Sequence, residues 1–179
     1  MMPESIPFDK YEAGRDTMRL DLSNLTAAEL LTLHVGIGDE LRSRGITRSS
    51  NNPAGDLAEY LFREAFGWQP QGNSQAGYDA VDRGGLRYQI KGRRITRRNP
   101  SRELSALRDL AGGHFDFLAG VIFAEDFTVL RAAIIPHSVV LDNSAFVEHT
   151  NSHKFLLRDQ IWNQPGVRDV TAELRAVVL

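Results

Sequence analysis

The sequence predicts an α/β domain, a mixed central sheet flanked by helices, on three observations. Residues 54–66 carry an apolar face at helical spacing, Ala58, Leu61, Phe62 and Ala65, between Pro53 and Gly67. Leu86, Tyr88 and Ile90 alternate with Arg87, Gln89 and Lys91, the period of two that a strand imposes. Phe115–Phe123 is nearly continuous apolar sequence, as a strand covered on both faces would be, and Phe127–Ile135 supplies its partner. Helical and strand patterns that interleave along one chain point to a layered α/β core.

The remaining elements follow in chain order. Residues 1–22 mix charge and apolarity without a period and read as an arm. Thr26 with Glu29 three residues on makes a capping box. Leu30, Leu31, Leu33, Val35, Ile37 and Leu41 continue that helix to about Arg44, with Gly45 as its stop. Thr47 to Pro53 is a polar loop, and Pro53 suits the first turn of the helix over 54–66, which Gly67 closes. Gln69 to Ala76 is a polar, Gly- and Pro-containing loop leading to the Asp79 hairpin. Arg83-Gly84-Gly85 forms a turn between Asp79 and the strand of Gln89, and Gly92 to Arg102 reads as an exposed arginine-rich loop. Ser101–Leu110 is expected to be a short helix with Leu104 and Leu107 inward, stopped by Gly112-Gly113. After the two apolar strands, Pro136–Val140 begins a turn or short helix. Residues 142–164, with His149, His153 and Trp162, show no periodicity, and Asp169–Leu174 suggests a final short helix.

The chain of 179 residues is expected to fold as one domain overall: an N-terminal arm and helix over 1–50 packing on the core, and an α/β domain over 51–179. With no cysteine, disulfides and thiolate-bound zinc are excluded. No stretch approaches the roughly 18 apolar residues of a membrane helix, so no membrane partner is expected. Met1-Met2-Pro3-Glu4-Ser5 lacks the layout of a secretory signal, which favours a cytoplasmic setting. The formal net charge of -2 hides a segregation. From Arg83 to Arg108 the chain carries Arg83, Arg87, Lys91, Arg93, Arg94, Arg97, Arg98, Arg102 and Arg108 against a single acid, Glu103. A polyanionic partner is the natural inference. Arginine, unlike lysine, favours bidentate contact with phosphate oxygens.

If Asp79 and Gln89 lie on paired strands, a carboxylate, an amide oxygen and the ammonium of Lys91 converge. On residue types alone, an Asp beside a glycine-rich turn and polar strand residues are better explained by turn geometry and solvent than by a site. Glu59, in Gly55-Asp56-Leu57-Ala58-Glu59, sits at the edge of its helix's apolar face. Asp56 is explained by the helix dipole. Taken in order, Glu59, Asp79 and Gln89-Ile90-Lys91 resemble the PD-(D/E)xK nuclease superfamily over roughly residues 53–136. The closest variant is the Mrr-like branch, in which Gln precedes x-Lys.

That resemblance implies a restriction-endonuclease-like core of αβββαβ order, which requires a further strand around Trp68 to Tyr78, and a metal-dependent endonuclease, a hydrolase of restriction, repair or defence type. It implies Glu59, Asp79, Gln89 and Lys91 as catalytic residues. Asp79, Glu59 and Gln89 would hold Mg2+ (or Mn2+), Gln89 through its uncharged side-chain oxygen. Lys91 would orient the attacking water or neutralise the phosphoryl group. Arg93, Arg94, Arg97, Arg98 and Arg102 would bind DNA, with RNA the other substrate class and no sequence preference implied. His34, His114, His137, His149 and His153 have no metal-ligand spacing and read as structural or surface residues. Two other readings stand beside this one: a catalytically silent nucleic-acid-binding module on the same fold, and an interaction protein docking an acidic partner. A homodimer through the Leu-rich helix over 25–44 would supply the two sites that a duplex cut requires.

Overall fold

Both faces of the central sheet are covered, which is why its middle strand is apolar throughout. The computed structural model describes residues 20–71 and 77–179. Most of the arm over 1–22 and most of the loop over 69–76 lie outside the described residues. Two compact units divide the chain, Met1–Ile37 and Gly38–Leu179. The described residues form helices α1 (Ala27–Ser43), α2 (Ala54–Phe66), α3 (His137–Asp142) and α4 (Thr171–Ala176). Their strands are β1 (Gln69–Pro70), β2 (Ala80–Val81), β3 (Arg87–Arg94), β4 (Glu103–Arg108), β5 (Phe117–Phe123), β6 (Val129–Pro136), β7 (Ser144–Val147), β8 (Ser152–Leu156) and β9 (Arg168–Asp169). No helix among them is long and apolar enough to cross a membrane.

The start of α1 bears out the capping box. The Thr26 amide donates to Glu29 Oε2 at 2.8 Å, and the Glu29 amide donates back to Thr26 Oγ1 at 3.3 Å. Gly45, at φ 70°, ends the turn that follows α1 in the left-handed conformation that glycine adopts without strain.

In the second unit the main sheet runs β1-β2-β3-β5-β6-β9, with β3 parallel to β5 and its other pairs antiparallel. This is the mixed sheet of an α/β fold, and β1 is the extra strand expected near Trp68. Alternation sends Ala119, Val121 and Phe123 of β5 into one core cluster and Leu118 and Ile122 into the other. The first cluster is closed by Leu57, Ala58, Leu61 and Phe62 of α2 and Leu174 of α4. Phe62, Trp68, Tyr88 and Phe117 stack in a row there, with Trp68 and Tyr88 centroids 3.7 Å apart. Burial pushes the Tyr88 phenol up to about 12, and its hydroxyl donates to Asp82 Oδ2 at 3.0 Å.

The opposite cluster is closed by a second, three-stranded sheet ordered β4-β8-β7. This corrects the expected helix over 101–110, which is strand β4 followed by a 3₁₀ turn, Leu110–Gly112. Leu104 and Leu107 are both buried, the three-residue spacing that suggested a helix. A register irregularity between them, Leu104 opposite Phe155 and Leu107 opposite His153, lets both face inward from a strand. The crossover between parallel β3 and β5 therefore contains a strand where the αβββαβ order has a helix. Residues 142–164, unassigned from sequence, hold the β7–β8 hairpin and a 3₁₀ segment, Asp159–Asn163. The short helices expected after Pro136 and near Asp169 are α3 and α4.

Candidate functional site

The site begins with the shortness of β2. Ala80 and Val81 pair with Tyr88 and Arg87, and the strand stops there. The Ile90 amide on β3 is thus left without a strand partner on that side, and Asp79 supplies one. Its Oδ2 accepts the Ile90 N–H at 2.6 Å and the Gln89 Nε2 at 2.5 Å. The backbone ladder continues beside it, with the Asp79 amide donating to the Tyr88 carbonyl at 2.8 Å. Asp79 and Gln89 therefore meet across the paired strands, as the sequence order implied. One detail differs: the Gln89 amide turns its nitrogen, not its oxygen, to the carboxylate, because Asp79 accepts and cannot donate.

Helix α2 approaches from the other face of the sheet. Tyr88 and Ile90 point toward it, while Gln89, Lys91 and Arg93 share the reverse face, opposite Leu118, Gly120 and Ile122 of β5. Gly92 makes the approach close enough, since a Cβ there would lie 2.3 Å from the Ala54 carbonyl oxygen and 2.9 Å from Ala58 Cβ. Glu59, the residue after Ala58, is brought to the open edge beside Asp79. Glu59, Asp79, Asp56, Arg48 and Ile90 line one pocket of about 20 Å³, room for a single water-sized species.

Burial pushes the Glu59 carboxyl above its ordinary value of 4.5, and the charge of Asp79 adds to the rise. Arg48, and more weakly Lys91, pull the other way. Such a group binds a proton in the folded state that the unfolded chain has already released, so stability falls as pH rises from 4.5 through the folded value. Glu59→Gln removes that slope. Thermal unfolding followed from about pH 4 to pH 8 is expected to turn progressively in the variant's favour; a wild type that gains on the variant over this range would refute the assignment.

Two features of the site were not legible in the sequence. The Arg48 guanidinium makes an ion pair with Glu59 Oε2. Asp56, assigned only to the helix dipole, anchors the loop that carries Arg48. Its Oδ2 accepts the Arg48 amide and the Ser49 amide, each at 2.9 Å, and the Ser49 hydroxyl at 3.0 Å. Burial alone would raise the Asp56 carboxyl, but these hydrogen bonds hold it below its ordinary value. The only signal of either contact was a basic residue in a polar loop just ahead of α2.

The five arginines do not form one loop. Arg93 and Arg94 belong to β3 and point to opposite faces. Arg93 is tied to the following turn through the Ser101 carbonyl at 3.0 Å and Asn99 Oδ1 at 3.1 Å. Arg94 lies 4.7 Å over the Phe127 ring, and Arg102 is paired with Asp159 at 2.9 Å. Arg97 and Arg98 are exposed in the Thr96–Asn99 turn, with no partner among the described residues. Of the histidines, His114 contacts Asp109 at 2.5 Å and His137 contacts the Leu110 carbonyl at 2.7 Å, both structural roles.

Among the described residues no group of three or more His, Asp and Glu side chains is arranged to hold a metal ion. Glu59 and Asp79 line one pocket, and one or two carboxylates with waters suffice for magnesium in general, but Gln89 is outside that lining and turns its nitrogen to Asp79. The half-buried Glu59 carboxyl is pushed up first by its burial and then by the charge of Asp79, and a nearby cation would relieve both. No family model matches the chain, and no curated protein sequence does so.

Proposed function

We propose that this chain is a metal-dependent endonuclease that hydrolyses phosphodiester bonds in DNA, built on a restriction-endonuclease-like arrangement of Glu59, Asp79, Gln89 and Lys91. The observation that supports the reading is narrower than a meeting of all four: Asp79 bonds Gln89 of β3, and Glu59 of α2 lines one pocket with Asp79, while Lys91 lies on the face of β3 turned away from α2. Glu59, Asp79 and the Gln89 oxygen would hold Mg2+ or Mn2+, which supplies Lewis-acid polarisation of the phosphoryl oxygen. The strand geometry keeps Lys91 on the Gln89 face, where its ammonium offsets charge building on the phosphoryl oxygens and aligns the attacking water. Arg97 and Arg98, exposed downstream of Lys91 on the same strand's exit, supply sequence-independent phosphate contacts. Arg93 holds that turn in place, and Arg94 and Arg102 act through packing and pairing.

A second reading has its own observation. The Gln89 nitrogen on Asp79 and the Arg48 pair on Glu59 leave both carboxylates satisfied without a metal, as a silent nucleic-acid-binding module would have them. The two separate on supercoiled plasmid and single-stranded DNA incubated with magnesium, manganese or EDTA. Divalent-dependent cleavage that disappears in Asp79→Ala is the expected result. Salt-sensitive DNA binding without cleavage under any of these conditions selects the silent module.

A further inference from the structure

We propose that the open end of the second sheet is a nucleotide-binding site, in which Phe146 and His153 hold a base and Arg108 holds its phosphate. The site shares no residue with the Asp79–Gln89 pair and stands whether or not that pair binds a metal.

In the sheet ordered β4-β8-β7, Leu107 lies opposite His153, and His153 lies opposite Phe146. Paired residues of antiparallel strands point to the same side, so these three make one row across the sheet. Leu107 is 2 % exposed and belongs to the core, whereas Phe146 is 58 % exposed. The core-facing side of the sheet thus runs out past the core and ends on a bare aromatic ring. There it borders an open cavity of about 470 Å³, walled by residues 108–111 and by Thr150 and Asn151. That volume is in the range of small-ligand sites. Asp109 and Asn151, at φ 46° and 44°, shape the two turns of the wall through left-handed backbone, which Asp and Asn adopt more readily than other side-chain-bearing residues.

The lining divides into a ring wall and a cationic rim. Phe146 and His153, with ring centroids 5.2 Å apart and planes inclined at 58°, form an aromatic corner against which a planar base packs. His153 Nδ1 is buried with no hydrogen-bond partner among the described residues, so the fold leaves hydrogen-bonding capacity of the imidazole unused. Arg108 is unused as well, since its side chain makes no ion pair, hydrogen bond or ring contact among the described residues. The neighbouring acid does not answer it, because Asp109 is engaged by His114 at 2.5 Å. A guanidinium without a carboxylate partner, at the rim of an aromatic cavity, selects a planar ligand that carries an anion, and its forked donors match phosphate. The Asn151 amide on the same wall offers a donor and an acceptor to a base edge or a sugar hydroxyl. A nucleotide combines all three features, whether it is free or ends a strand.

Calorimetric titration of the full chain tests this with 5′-AMP and 5′-UMP beside their nucleosides, ribose 5-phosphate and benzoate. The expected result is a mononucleotide bound about tenfold or more tighter than its nucleoside, ribose 5-phosphate or benzoate, because base and phosphate contacts add. Arg108→Ala and Phe146→Ala, both at exposed side chains, should each weaken that binding by about tenfold or more, and Phe146→Tyr should keep it. A 5′-phosphorylated trinucleotide bound more tightly than the mononucleotides assigns the site to a strand end, and equal or weaker binding assigns it to a free nucleotide. No binding of either mononucleotide or the trinucleotide at millimolar concentration overturns the proposal, as does affinity unchanged in both alanine variants. Benzoate bound as tightly as the mononucleotides overturns the nucleotide class.

Discussion

Gly92→Ala is expected to destabilise the protein by about 3 kcal/mol or more, lowering its thermal midpoint by roughly 6–12 °C. The added Cβ would meet the Ala54 carbonyl oxygen at 2.3 Å and Ala58 Cβ at 2.9 Å. The first of these is backbone in the opening turn of α2, so no rotamer change relieves it. The helix must lift from β3, which opens the contacts of Leu57, Ala58 and Leu61 with the sheet and moves Glu59 away from Asp79. Gly55→Ala is the control, the residue after Ala54 in the opening turn of α2, with nothing within 4 Å of its added Cβ. That change should stabilise by about 0.5–1 kcal/mol through the entropy glycine loses in a helix. Urea denaturation of both variants checks the pair; equal midpoints would mean that α2 does not sit on Gly92 as described.

Gln89→Glu should carry opposite signs with and without metal. In EDTA the substitution removes a donor held at 2.5 Å from Asp79 Oδ2 and puts a second carboxylate in its place. Loss of a hydrogen bond to a charged group, with like charges left in contact, is expected to cost about 2–3 kcal/mol, or roughly 5–10 °C in thermal midpoint. In millimolar manganese the same carboxylate joins Asp79 and Glu59 as a charged oxygen donor, and the midpoint should recover to the wild-type value or pass it. A variant as stable as wild type in EDTA and indifferent to manganese would show that residue 89 does not face a cation site.

Much of the frame was readable because burial and pattern coincide. Strand β5 is apolar on both faces because α2 and the second sheet cover both, and Thr26 with Glu29 forms the capping box that their spacing implies. Strand β4 was misread because its irregular register buries Leu104 and Leu107 three apart, which imitates a helix. The β7–β8 hairpin was invisible for a related reason. Only Ser152 and Phe155 of β8 are fully buried, so no alternation marks it. For the site, residue order brought Glu59, Asp79, Gln89 and Lys91 into view, since strand pairing follows from the turn at Asp82–Gly85. Three features lay beyond a linear reading, because each depends on tertiary contacts. They are the amide orientation of Gln89, the hold of Arg48 on Glu59, and the dispersal of the arginines between two faces of β3, an ion pair and an exposed turn.

The role proposed for Lys91 at a phosphoryl group is tested most directly by nicking of supercoiled plasmid by Lys91→Ala beside wild type in manganese. Cleavage by the variant should fall by about 100-fold or more, as loss of a preorganised electrostatic contact to a transition state does. DNA affinity at matched salt should stay within a few-fold of wild type, because Arg97 and Arg98 remain. Wild-type nicking undiminished in Lys91→Ala would contradict the account and move the chemistry away from the Asp79–Gln89 pair.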